Sequence, residues 1–309
     1  MTTHSPASTP LTASFPTAEP IDLRLTLGPL GNGRDDPTIR FRADGVWLAR
    51  RTSEGPATLR LWMDAAASAV RAEAWGSGAA AALEAAPGLA GLLDEPGLLK
   101  PRHTLVLELQ RRFAMLRLTR TGQLVPSLLP AITGQKVTAG EAHAAYAAIV
   151  RRLGEPAPGP AGLVLPPTGA RLAELPYFEF HPMGLERRRA ELVQRVGRRS
   201  SEIEALAALT PGEAYARLKS YPGIGPWTAA ETTRLAFGDP DAVSLGDAHL
   251  PDLVAWALAG EPRADDCRML ELLAPYPGQR ARAIRLLEVS GIKIPRFGPR
   301  FAPRRINRI

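Results

Sequence analysis

The feature that most constrains this chain is a short run, Tyr221-Pro222-Gly223-Ile224-Gly225-Pro226, set between two helical patterns at 213–218 and 227–236. Glycines two apart allow backbone angles closed to other residues, so the chain can reverse tightly here. Ile224 between them can plug into the helix pair, and Pro226 suits the first position of a new helix. The result is two helices folded against each other, with the unpaired amides of the second aimed at the bend. Such a helix start attracts anions, and one phosphate of a nucleic acid is the natural occupant. Taken alone, the run is equally well read as a plain turn.

Periodicity divides the chain. Residues 1–20, rich in Ser, Thr, Pro and Ala, are expected to be a disordered segment. From 21 to 101 short period-two runs predict an antiparallel sheet: 22–27, Thr38-Ile39-Arg40-Phe41, Val46-Trp47-Leu48-Ala49, 57–62 and, more weakly, 70–74. An Ala/Leu/Gly-rich stretch from Ser77 to Leu99 reads as helix in pieces, broken near Pro87 and Pro96. This part is read as a small α/β domain. From 102 to 291 apolar residues recur three and four apart, which predicts a nearly all-α domain. Glu155 to Pro167, rich in Pro and Gly, reads as an extended surface connection inside it.

Composition excludes several classes. The single cysteine, Cys267, rules out an internal disulfide framework, a cysteine-based zinc site and a four-cysteine iron–sulfur cluster. The five histidines show no metal-ligand spacing, so no metal site is proposed. No stretch reads as a membrane span or a secretory leader, and the expected location is the cytoplasm, against the nucleoid. The net charge of +7 is weak evidence for nucleic acid. Lys293, Arg296, Arg300, Arg304, Arg305 and Arg308 in the tail 292–309 account for all but +1 of it. That tail, with Phe297 and Phe301 among its arginines, is expected to be a non-specific DNA arm.

A second feature changes the reading of the bend. Twenty residues after Trp227 stands Asp247, in Leu245-Gly246-Asp247-Ala248-His249-Leu250, just before another helical pattern. Leu218, Pro222-Gly223-Ile224-Gly225, Trp227-Thr228-Ala229 and that aspartate together resemble the signature of the helix-hairpin-helix DNA glycosylases. Within these the pattern is most similar to DNA-3-methyladenine glycosylase II. Ile132-Thr133-Gly134-Gln135-Lys136-Val137 resembles the DNA-facing start of the family's helical domain, and the strands of 21–101 resemble its β-domain.

The resemblance implies an enzyme of base-excision repair that flips a damaged base out of double-stranded DNA and hydrolyses its glycosidic bond. Asp247 would be the catalytic carboxylate, stabilising an oxocarbenium-like sugar or orienting water. It could equally cap the helix from Leu250, and both roles can hold at once. Trp227, Glu231 and His249 would line the base pocket, with Trp227 stacking on the base or packing in the core. Pro222, Gly223, Ile224, Gly225 and Thr228 would hold DNA. Gln135 would face the opposite strand, and Lys136 stands where an apolar wedge fills the gap left by the flipped base. Endonuclease III, a bifunctional relative, carries a Schiff-base lysine where this chain has Trp227, so no lyase activity is expected. Glu231 and His249 replace aromatics of the family pattern, which predicts a more polar pocket.

Arg187–Arg189, Arg195, Arg198 and Arg199 could line a phosphate track or form a solvated helix face. No cofactor is required, although the bend's carbonyls could hold a monovalent cation. The partner is damaged duplex DNA, bound by a monomer. Two alternatives stay open: a glycosylase for deaminated or oxidised bases, and a damaged-DNA-binding module without chemistry.

Overall fold

The computed structural model describes residues 9–295, so most of the basic tail at 292–309 lies outside them. Four strands form an antiparallel meander: β2 (Ile39–Arg42), β3 (Gly45–Thr52), β4 (Gly55–Asp64) and β5 (Ala69–Trp75). A further strand, β1 (Leu11–Pro16), pairs antiparallel with β5, giving the order β1-β5-β4-β3-β2. This corrects the expected disorder for residues 11–16, while residues 1–8 of that segment lie outside the described residues. Ala13 and Phe15 alternate within the Ser/Thr-rich run and pack against the domain's core, while β5 supplies the hydrogen bonds.

The alternation at 22–27 is also corrected: it forms α1 (Leu23–Leu27). Asp22 accepts from the amides of Arg24 and Leu25 at 2.9 and 3.0 Å, and this cap turns the segment into one helical turn. Helix α2 (Ala79–Leu89) covers one face of the sheet with Ala82, Ala86 and Leu89, and continues through Pro87 rather than breaking before it.

The predicted surface connection at 155–167 keeps its first half at the surface but buries Ala161, Leu163, Leu165, Pro166 and Pro167. It contains the two-stranded pair β6 (Glu155–Pro156) and β7 (Val164–Leu165) and lays Ala161, Leu163 and Leu165 over Trp47 and Trp75. Those rings stack at 5.2 Å on the outer face of the sheet. Without this cover two large aromatic surfaces would meet water, which is why a segment of loop composition is drawn inward.

The helical region, read from sequence as one unit, has two separate apolar cores. The first gathers α4 (Leu124–Thr133), α5 (Ala139–Leu153), α6 (Gly169–Glu174), α7 (Arg187–Arg198), α8 (Ser200–Ala205), α9 (Pro211–Lys219) and α10 (Pro226–Ala236) around Leu128, Ile132, Phe180 and Val193. The second joins α3 (Thr104–Arg112) to α11 (Leu250–Ala259), α12 (Asp266–Leu273) and α13 (Arg280–Val289) around Val106, Val254 and Leu287. Chain order therefore leaves the second core after α3 and returns to it only at α11. The Asp247 loop is that return. No helix among the described residues is long and apolar enough to cross a membrane.

Candidate active site and nucleic-acid interface

The bend forms as its residues dictate. Helix α9 opens with a capping box between Thr210 and Glu213 and closes at Ser220. The amide of Ile224 then donates to Tyr221 O at 3.0 Å, and Ile224 is driven into the first core, 4% exposed. Gly223 sits at φ +95°, a left-handed conformation. A Cβ there would also approach Leu192 Cδ1 to 3.2 Å and Arg195 Nη2 to 3.3 Å. Pro222, Gly223, Gly225 and Pro226 are exposed, and no side chain caps the start of α10. Its first amides are left facing outward beside the bend.

Two expected DNA contacts take other roles. Gln135 does not face outward: its Nε2 donates to Gly223 O at 3.0 Å and to Thr228 Oγ1 at 2.9 Å, locking the end of α4 onto the bend. Thr228 is buried, so its hydroxyl serves that lock and not a ligand. Lys136 is exposed, at φ +55°. A left-handed lysine costs about 1–2 kcal/mol, so the flanking Gln135 lock and the Thr138–Glu141 capping box must hold it there.

The arginine row divides. Arg187, Arg188, Arg198 and Arg199 are exposed, whereas Arg189 is 2% exposed and is the largest fully buried side chain. It pairs with Glu186 and donates to Thr133 O and Gly184 O, so it is a strut inside the first core and not part of a phosphate track.

Asp247 follows Gly246, whose φ of +84° turns the loop back on itself. Oδ1 accepts from the amides of His249 and Leu250 at 2.8 and 2.9 Å; Oδ2 accepts from Trp227 Nε1 at 2.9 Å. The carboxylate thus holds the start of α11 in the second core and a residue of α10 in the first. No ion pair among the described residues includes it. Three donors fix its direction while leaving its charge uncompensated by any cation in contact.

A cavity of about 200 Å³ opens beside this carboxylate, between α1, α10, α11 and α13. Leu235, Leu253 and Ile284 form apolar walls; Glu231, Arg234 and His249 bring polar ones. Glu231 and His249, expected from the sequence to line a base pocket, both line this cavity. Trp227 is not among the lining residues. Its ring reaches toward Gly134, 3.2 Å from where a Cβ would stand, and its N–H serves Asp247. The indole N–H is thus engaged by the carboxylate and the ring stands away from the cavity, where apart from His249 no aromatic residue among the described residues is found.

Glu231 is committed to its neighbours, accepting from Ser244 Oγ at 2.5 Å and pairing with Arg234 at 2.6 Å. Burial alone would pull the Arg234 guanidinium down, but the carboxylates of Glu231, Glu288 and Asp247 push it well above its ordinary value. Burial lowers Arg285, on the opposite wall. Sequence reasoning missed Arg234 and Ser244. Arg234 had a signal, three residues after Glu231 on one helix face; Ser244 had none. No group of three or more metal-ligating side chains occurs among the described residues.

No protein-family model and no curated protein matches the sequence. Solved structures do match the fold. The 3-methyladenine DNA glycosylase from Archaeoglobus fulgidus superposes with a TM-score of 0.74 at 18% identity, over 89% of this chain and 96% of that one. The 8-oxoguanine glycosylase/lyase from Clostridium acetobutylicum, solved with double-stranded DNA, gives a TM-score of 0.69 at 14% identity, over 91% of this chain and 94% of that one. At these identities what is shared is architecture: the chain has the sheet-plus-helical fold of these two glycosylase structures.

Proposed function

We propose that this protein is a monofunctional DNA glycosylase of base-excision repair. It everts a damaged base from duplex DNA, binding as a monomer, and hydrolyses the N-glycosidic bond of an alkylated purine of the 3-methyladenine type. The reading requires no cofactor. The observation that carries it is Asp247, a carboxylate held by three donors and in no ion pair among the described residues, at a cavity of base size beside the bend. As the glycosidic bond lengthens, positive charge grows on the sugar, and a fixed negative charge near the anomeric carbon stabilises it without reorganising. The leaving alkylated base is already cationic and needs little protonation. A pure binding module would gain nothing from an acid held beside a polyanion.

One observation favours a different lesion on the same scaffold. Among the described residues the cavity has no Trp, Tyr or Phe face to stack on an electron-poor base and presents Glu231, Arg234 and Ser244 instead. Deaminated or oxidised bases are therefore the second reading.

The test incubates the protein with duplexes bearing single 3-methyladenine, hypoxanthine or 8-oxoguanine, then treats them with alkali. Strand breaks that appear only after alkali, at 3-methyladenine, are expected. Breaks before alkali would contradict the monofunctional reading, breaks only at another lesion would favour the second reading, and none at any lesion would leave a binding module. In the same assay Trp227→Phe removes one hydrogen bond to a charged group, worth about 1.5–3 kcal/mol. Its kcat should fall roughly ten- to a hundredfold with KM little changed; an unchanged kcat would show that the indole does not position Asp247.

A further inference from the structure

We propose that Asp266, in the first turn of α12, is a positioning residue that pins the backbone on which Asp247 stands. This rests on the reading of Asp247 as the catalytic carboxylate. Gly246, immediately before it, lies at φ +84°, and a Cβ there would meet nothing within 4 Å. A glycine with open space around it is the freest link of a chain, and here that link leads into the reactive group. The three donors to Asp247 hold its oxygens and leave the preceding peptide unheld. The amides of Leu245 and Asp247 bond within the loop, to Val243 O at 3.0 Å and Ser244 O at 3.4 Å. The Gly246 amide between them donates to Asp266 Oδ2 at 2.8 Å, so the peptide entering Gly246 is tied to another helix.

The needs of α12 do not explain Asp266. Asp265 already caps that helix, its side chain accepting from the Arg268 amide at 2.9 Å. Among the described residues Asp266 enters no ion pair, and its Oδ1 is buried without a hydrogen-bond partner. A buried carboxylate oxygen left unsatisfied is destabilising. The bond that the group does make falls on the loop. Helix α12 packs into the second core through Met269 and Leu273, so Asp266 acts from a firm support. Trp227 holds the Asp247 carboxylate from α10, and Asp266 holds the backbone behind it from α12. A catalytic group must sit within about 0.5 Å of its productive place, and a misplacement of about 1 Å lowers a rate by about a hundredfold.

Single-turnover excision by the full chain is followed on the lesion duplex that the parent cleaves, and affinity for that duplex is measured by fluorescence anisotropy. Asp266→Ala should slow excision about ten- to a hundredfold and change duplex affinity less than about twofold. Asp266→Asn keeps an oxygen for the Gly246 amide and should restore the rate to within about threefold of the parent's. A parental rate in Asp266→Ala would overturn the proposal. So would equal losses in the two variants, which would make the charge, and not the hydrogen bond, the active feature. In the Asp247→Asn background Asp266→Ala should cost less than about threefold, because no charge is left to position. A full additional loss there would overturn the proposal and make Asp266 a general support of the fold. No excision by the parent on any lesion would overturn both the glycosylase reading and this inference.

Discussion

Asp247→Asn should lower base excision about a thousandfold while leaving the fold in place. A unit charge about 4 Å from the developing positive charge, in an effective dielectric near 20, is worth roughly 4 kcal/mol, which is on the order of a thousandfold in rate. Stability is affected far less. An asparagine oxygen can still accept from the amides of His249 and Leu250, since asparagine caps helices as well as aspartate does. The side-chain amide would then face the Trp227 N–H, a mismatch of about 1 kcal/mol. Single-turnover kinetics on a lesion duplex and a urea melt read the two effects separately. Full activity in the variant would end the catalytic assignment. A rate loss matched by an equal loss of stability would reduce Asp247 to a helix cap.

The second large effect is expected at a distance from the chemistry. Arg189→Ala should destabilise the protein by about 3 kcal/mol, the lower end for breaking a buried pair because Glu186 can rehydrate. The substitution leaves Thr133 O and Gly184 O without their donor and a void in the first core. Thr133 is the last residue of α4, immediately before Gly134 and Gln135, so the lock onto the bend should loosen as well. Duplex affinity is expected to fall in the same variant. Arg189→Met, which refills the volume but not the hydrogen bonds, should recover part of the stability and none of the lock. A urea midpoint for Arg189→Ala equal to the parent's would show that the buried guanidinium contributes nothing net.

What could be read from the sequence was local. The bend at 222–226 is spelled by two glycines and two prolines, each with its own conformational demand, and the Asp247 spacing places a carboxylate at the next helix start. The meander from β2 to β5 follows from period two with clear turns. What could not be read depends on partners distant in sequence. Leu23, Leu25 and Leu27 alternate as in a strand yet also span one helical turn, and only the Asp22 cap decides between them. Strand β1 exists because β5 offers an edge, and Ala161, Leu163 and Leu165 turn inward because Trp47 and Trp75 need a cover. Arg189 was legible in principle. It shares a helical face with Val193 and Val196, unlike Arg187 and Arg188. The indole of Trp227 turned from the base to the acid for a reason no spacing expresses: the hydrogen bond forms only once the two helical cores meet.

That hydrogen bond carries a wider consequence. The bend proposed to grasp the backbone and the carboxylate proposed to cleave the bond are anchored in different bodies, so their registration is a property of the seam and not of either half. Substitutions along that seam, even far from DNA, should act like a misaligned vice: both jaws intact, the workpiece held off its mark.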